Sequence, residues 1–278
     1  MNVEAIEQIV KGRYGQLAVT GGHQESCCAA REECGSGYAV DQSLYTQTEL
    51  SSVPDIARNL SRGCGNPTGF ANLKSGDIVA DFGCGAGIDV VLAARKVVPW
   101  GKVIGIDFTS QMIERAKESI ASAGLHGGNI ELRTEDIKKT GLPDGCVDIV
   151  ISNCVINLSA DKKAVYKEAF RILRPGGRLA ISDVLLTATI PAELESRFES
   201  TWAGCLGGAV VEKDYFRTVT QAGFIDIQVV GRHSFTPEEL NAMAHCPGEQ
   251  FTPRTSKADL AVVQGKVESI KFTALKPS

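Results

Sequence analysis

Between residues 77 and 186 the chain alternates strand-length apolar runs with amphipathic stretches, and this alternation limits the possible folds more than any other feature. The runs "DIVADF", "GKVIGIDF", "NIELRT", "VDIVISN" and "GRLAISDVLL" are interleaved with "GIDVVLAARKVV", "SQMIERAKESIASAG" and "KKAVYKEAFRILRPGG". Strands that alternate with helices build βαβ units, so the pattern predicts an α/β fold with a parallel sheet and helices on both faces. The strands read as near-continuous apolar runs, as a sheet covered on both sides requires. Downstream, "EKDYFRTVTQAGF" predicts a helix stopped by glycine. "IDIQVVGRHSF" and "VESIKFTALKP" predict two closing strands that can form an antiparallel edge. Residues 186 to 212 read as an element inserted after the fifth strand. Upstream, residues 1 to 13 predict a short amphipathic helix, and "TQTELSSVPDIARNLSRGCGNP" a turn, one short helix and a stop, with Ser51 or Ser52 as cap and Pro54 early in the helix.

With 43% hydrophobic and 22% charged residues in 278, the chain can bury a sizeable core. A net charge of −4 and a pI near 5.7 give no footprint for nucleic acid, and no basic cluster suggests a membrane surface. The N-terminal stretch lacks a signal-peptide core and no apolar run is long enough to span a bilayer, so a cytoplasmic protein is expected; a monomer is a separate expectation.

The strongest local motif is "VADFGCGAGIDV", residues 79 to 90, a strand, a glycine turn and a helix start. Gly83, Gly85 and Gly87 permit positive φ and remove Cβ atoms, which lets a ligand approach the backbone at the strand's carboxyl end. The spacing is G-x-G-x-G rather than the dinucleotide fingerprint, since Ile88 stands where a third glycine would be needed. That variant suits a nucleoside ligand without a pyrophosphate. Asp81 can receive an ammonium group, Asp107 at the next strand end can accept ribose hydroxyls, and Asp136 after the third strand can accept an adenine amine with Ile137 against the ring. Alone, each acid is better explained as a solvated loop residue or a helix cap; three at successive strand ends form a constellation.

Nine cysteines, at 27, 28, 34, 64, 84, 146, 154, 205 and 246, are an odd number and include no C-x-x-C pair. That argues against both a disulfide scaffold and a zinc ribbon, and any soft-ion site must be assembled by the fold. In "ISNCVINL", residues 151 to 158, a buried strand ends in Cys154 between Asn153 and Asn157. The four histidines fall in loops or terminal parts, so the strand ends offer thiols rather than an imidazole base. Thiolates select soft ions, among them trivalent arsenic, which on three thiolates keeps a lone pair able to attack carbon. Cys84, Cys146 and Cys246 read as packing or turn residues, and Asn157 as a structural turn residue.

"DFGCGAGID", "GIDFTSQMIERAK" and "RILRPGGRLAISD" resemble the class I S-adenosylmethionine-dependent methyltransferases from about residue 71 onward. "SNCVINLSADKKAVYKEAFRILRPGG", "TWAGCLGGA" and "LSRGCGNP" resemble the arsenite methyltransferases in particular. The resemblance implies a Rossmann-like seven-stranded sheet with a final antiparallel hairpin over residues 71–278, the inserted element at about 186–212, and a thiol-bearing N-terminal segment or lid over residues 1–70. It implies S-adenosylmethionine held by Asp81, Gly83, Cys84, Gly85 and Gly87 at its methionine part, by Asp107, Phe108, Thr109 and Met112 around the ribose and adenosine, by Asp136 with Ile137 at the adenine, and with Asn153 alongside. It implies arsenic(III) as substrate on Cys64, Cys154 and Cys205, with Cys27 or Cys28 completing the site or cycling through a disulfide that glutathione or thioredoxin resets. Cys34 competes for that N-terminal role. Two other readings are open: a methyltransferase of a small organic metabolite with structural cysteines, and a protein that sequesters arsenite without turnover.

Overall fold

The computed structural model describes residues 2–21, 44–125, 128–194, 205–244 and 256–278. Its centre is a seven-stranded sheet: β1 (Ile78–Phe82), β2 (Lys102–Asp107), β3 (Ile130–Thr134), β4 (Val147–Asn153), β5 (Leu173–Leu186), β6 (Ile225–Ser234) and β7 (Val267–Leu275), in the order β3-β2-β1-β4-β5-β7-β6. The first five strands pair in parallel, and β7 runs antiparallel between β5 and β6. The expected antiparallel edge is therefore present, with β7 as its inner strand.

Residues two apart along a strand face the same side. Along β4, Ile149 and Ile151 enter one core with Val90, Ala94 and Val97, whereas Val150 enters the opposite core with Phe82, Ile181 and Tyr166. Helices α5 (Ile88–Val97) and α6 (Ser110–Ser122) serve the first face. Helices α7 (Lys162–Ile172) and α8 (Glu212–Gln221) serve the second. Both faces of the central strands β1, β2 and β4 are buried, which accounts for their continuous apolar runs.

The first helix is longer than its pattern suggests. α1 spans Val3–Thr20, capped by the Asn2 side chain accepting from Ala5 N at 2.8 Å and closed by Gly21 at φ 66°. Tertiary contacts carry it past residue 13: Arg115 Nε donates to Ala18 O at 2.8 Å, and Ala18 packs with Leu60, Ala86 and Met112. The following segment forms three short helices, α2 (Gln47–Ser51), α3 (Asp55–Leu60) and α4 (Pro67–Phe70), where one was expected. The cap of α2 is Thr46, in a reciprocal capping box with Glu49, rather than Ser51 or Ser52. Those two serines close α2, with their hydroxyls donating to the carbonyls of Thr48 and Glu49. Pro54 is the backbone N-cap of α3.

Between β6 and β7 come α9 (Pro237–Ala244) and α10 (Lys257–Val263). Their Leu240, Leu260 and Val263 join Ile6 and Val10 of α1 in a core that also contains Cys64, Cys154 and Cys205. His233 lies within β6, not in a loop, and its Nε2 is 3.0 Å from Glu239 on an exposed edge. Among the described residues no helix is long and apolar enough to cross a membrane.

Candidate functional site at the carboxyl edge of the sheet

β1 is flanked by β2 and β4, so the chain winds outward in both directions from the β1/β4 boundary, the position at which open α/β sheets leave a crevice. A cleft of about 1010 Å³, open to solvent, lies there between the glycine loop, the end of β4 and α1. Asp81, Gly83, Cys84, Gly85, Asp107, Phe108, Thr109, Met112, Asp136, Ile137, Asn153 and Cys154 all line it. Nearly every residue expected at a cofactor site from the sequence is thus gathered on one surface, with Gly87 just behind it at the start of α5.

The loop follows from its glycines. Gly83, Gly85 and Gly87 have φ of 73°, 51° and 89°, and the amides of Gly83 and Cys84 both donate to Ile106 O, at 2.8 and 3.0 Å, stitching the turn to β2. A Cβ on Gly85 would meet nothing within 4 Å, so the space above this turn is available to a ligand. Asp107 accepts from Gly85 N at 3.0 Å and from Thr109 N at 2.8 Å. Asp81 is 2% exposed, and its Oδ2 has no hydrogen-bond partner among the described residues. Burial, then the nearby Asp89 and Asp107, push its carboxyl well above the ordinary range. A buried acid lacking a partner beside an open glycine turn is a receptor for a cationic group, and the donor set fits the ammonium and ribose of S-adenosylmethionine. Asp136 is committed differently. It accepts from Lys138 N at 2.7 Å and pairs with Lys138 Nζ at 3.4 Å, and Lys138 also pairs with Glu7 of α1, closing the far side of the cleft.

Beyond the glycine loop the cleft meets sulfur. Cys154 Sγ and Cys205 Sγ are 3.2 Å apart, both thiols are free and buried, and Cys205 Sγ also donates to Cys154 O at 3.4 Å. Hydrogen bonds with the thiols of Cys205 and then Cys64, with burial added, hold the Cys154 thiol well above its usual pKa. Cys64 joins them, with its Sγ 3.8 Å from Ser182 Oγ. Three cysteines far apart in sequence therefore converge on one apolar cluster. Among the described residues no set of three or more His, Cys, Asp and Glu is already spaced as a metal site, so the thiols are assembled but not drawn to ligand distance. Cys27, Cys28, Cys34 and Cys246 lie outside the described residues. Cys146 is half-buried in the turn before β4, and Cys84 is buried, its sulfur facing Gly105 of β2.

Several participants had no legible signal. Tyr14 lines the cleft, its phenol pushed up by burial and then by Cys205. Asp89, which reads as an ordinary acid in the first turn of a helix, is 3% exposed and accepts from Tyr45 OH and Asn153 Nδ2 at 3.2 and 3.1 Å. Its carboxyl is pushed up to about 6 by burial, with the bonds from Asn153 and Tyr45 opposing.

A family model described as a methyltransferase domain matches residues 73–223, more than half of the chain. An arsenite methyltransferase of Halobacterium salinarum is 37% identical over 245 residues, covering 84% of this chain and 61% of its own length. The chain belongs to the arsenite methyltransferase family. One from Mus musculus is 30% identical, with 85% of this chain and 62% of the relative covered. The crystal structure of an arsenic(III) S-adenosylmethionine methyltransferase from Chlamydomonas reinhardtii superposes with a TM-score of 0.67 at 30% identity, covering 83% of this chain and 72% of that one. The chain spans about three fifths of the length of these two curated relatives.

Proposed function

We propose that this chain transfers methyl groups from S-adenosylmethionine to trivalent arsenic held by Cys64, Cys154 and Cys205. The observation that carries this reading is the 3.2 Å approach of the Cys154 and Cys205 sulfurs at the end of the same cleft that contains the partnerless Asp81 carboxylate. S-adenosylmethionine, when bound, supplies an electrophilic sulfonium methyl. Asp81 would hold its ammonium, Gly83 to Gly87 its methionine chain, Asp107 its ribose, and Ile137 with Met112 its base.

The thiols do the rest. Arsenite, presented as a glutathione or other thiol complex, exchanges onto the three cysteines, and in each exchange the cysteine's proton leaves on the departing thiol. Bound to three thiolates, arsenic(III) retains the lone pair that serves as nucleophile, so no general base is needed. Among the described residues no histidine lines the cleft, consistent with that chemistry. The cluster around the thiols is apolar and excludes water from the reacting centre. Transfer of the methyl, with its bond to the sulfonium sulfur broken and S-adenosylhomocysteine as the leaving group, raises arsenic formally to the pentavalent state. Two thiolates closing to a disulfide return the two electrons, and Cys64 with Cys27 or Cys28 is the pair proposed, reset by glutathione or thioredoxin.

The reading is tested by incubating the protein with arsenite, glutathione and methyl-labelled S-adenosylmethionine and speciating the products. Label in methylarsenicals is expected, and its loss in Cys154→Ser and in Cys205→Ser. Arsenite bound without transfer would favour a sequestering protein, and full activity in either variant would sink the proposed site.

A further inference from the structure

The two amides that bracket Cys154 each hold one of the other cysteines. Asn153 Oδ1 accepts from the backbone amides of Cys64 and Gly65, at 3.0 and 3.1 Å, and its Nδ2 donates to Gly65 O at 2.8 Å. Asn157 Nδ2 donates to the backbone carbonyl of Cys205. The segments joined are 89 and 48 positions apart in sequence.

We propose that Asn153 and Asn157 are positioning residues that assemble the three-thiol site, Asn153 by seating the Cys64 loop and Asn157 by seating Cys205. The inference rests on the reading of the thiols as the substrate site. Cys154 and Cys205 both adopt left-handed backbone, at φ 60° and 71°, a conformation that costs a non-glycine residue energy and persists only where the surroundings enforce it. For Cys154 the enforcing contact is its own amide donating to Ser182 O at 2.8 Å. For Cys205 it is Asn157. Asn157 is itself fixed at its backbone, with its N–H directed to the Asp183 carboxylate and its C=O accepting from Lys162 Nζ at 3.1 Å. It is fully buried, yet its Oδ1 has no partner among the described residues. A buried unpaired acceptor is a stability cost, so the amide at this position is explained by the donor it aims at Cys205.

Asn153 works against a close backbone. A Cβ on Gly63 would lie 2.6 Å from Asn153 Cγ, and one on Gly65 would lie 2.7 Å from Ser182 Cβ, so glycines on either side of Cys64 are needed for the loop to reach the amide. The Cys64 carbonyl is pinned in turn by Ser269 Oγ at 2.7 Å. Asn153 Nδ2 also reaches Tyr45 OH at 3.0 Å and the Asp89 carboxylate, tying the thiol loop to the helix that follows the glycine turn.

The test uses the whole chain and two readouts. Asn157→Asp keeps the shape and loses the donor. In the ligand-free protein, iodoacetamide should label Cys205 about tenfold faster in this variant than in the parent, the factor expected for one lost hydrogen bond, while labelling of Cys146 stays constant as the internal control. With one equivalent of arsenite, X-ray absorption should count three sulfurs around arsenic in the parent and two in Asn157→Asp, and Asn153→Ala should also lose one. Unchanged labelling of Cys205, or three sulfurs in both variants, would overturn the proposal. Failure of the parent to bind arsenic through three sulfurs would overturn the reading of the substrate site instead, and the labelling result would still decide the role of Asn157.

Discussion

Gly83 brings the glycine turn against Val155, the residue after Cys154, and replacing it separates two costs that can be worked out in advance. At φ 73° an alanine would sit in left-handed backbone, which costs about 1–2 kcal/mol. Its Cβ would also fall 2.7 Å from Val155 Cβ and closer still to both of that residue's methyl carbons. Val155 cannot swing clear, because it is half-buried against the core and directly follows Cys154. Overpacking of this kind adds about 1–3 kcal/mol, for a total of about 2–5 kcal/mol. Gly85→Ala is the control. It too has positive φ, 51°, but meets nothing within 4 Å, so only the backbone cost of about 1–2 kcal/mol should appear. Urea denaturation of the four proteins in the Gly83→Ala, Val155→Ala cycle measures the steric part as a coupling energy. The double variant should recover part of that about 1–3 kcal/mol relative to additivity, since Val155→Ala removes the two colliding methyls and leaves only the 2.7 Å approach of the Cβ atoms. Additivity within about 0.5 kcal/mol would refute the contact, and Gly83→Ala as mild as Gly85→Ala would refute the whole ledger.

Two further expectations concern buried charge. Asp81 is pushed up by burial, Asp89 and Asp107, so the folded protein holds a proton there above the pH at which a free carboxyl would have lost it; placing an ammonium beside it restores an ordinary acid. Binding of S-adenosylmethionine just above the ordinary carboxyl range should therefore release a proton, seen as a calorimetric enthalpy that varies with buffer ionisation heat and absent in Asp81→Asn. The second concerns Tyr215, whose hydroxyl donates to Asp183 Oδ2 at 2.7 Å, the carboxyl being pushed up to about 6 by burial with Tyr215 opposing. Tyr215→Phe removes the donor and raises that carboxyl further. A raised acid costs stability only once ionised, so the penalty should grow as pH rises through about 6: about 1–3 kcal/mol at pH 8 and much less at pH 5 by urea denaturation. An equal penalty at both pH values would dissociate Tyr215 from the carboxylate.

What the sequence made legible was whatever is encoded within one element. Continuous apolar strands, the glycine spacing and acids at consecutive strand ends are local patterns, and the sheet, the cleft and its lining are where they point. Cys154 was legible too, because a thiol closing an apolar strand is locally odd. The helix boundaries that moved did so for tertiary reasons: α1 runs on to Thr20 because α6 receives it, and Thr46 caps α2 because Glu49, which also accepts from Asn66 and Lys96, is fixed in place to complete the box.

The amides flanking Cys154 show why the rest was hidden. In "ISNCVINL" nothing local separates an asparagine that caps a turn from one that binds a chain segment 89 residues away, since both present the same donor and acceptor. The distinction arises only after the β1/β4 crevice brings the Cys64 loop across the end of β4, and it is then visible in the glycines on either side of Cys64, whose missing Cβ atoms make room for the amide and for Ser182. Asp89 behaves the same way, a helix-start acid until Tyr45 and Asn153 enclose it. A thiol site built from three distant segments needs something other than sulfur to bring the backbones together, because an apolar cluster fixes burial but not orientation. Directional bonds to Cys64 N and Cys205 O supply the orientation, from the two positions in the strand-end motif that sit on either side of the central cysteine.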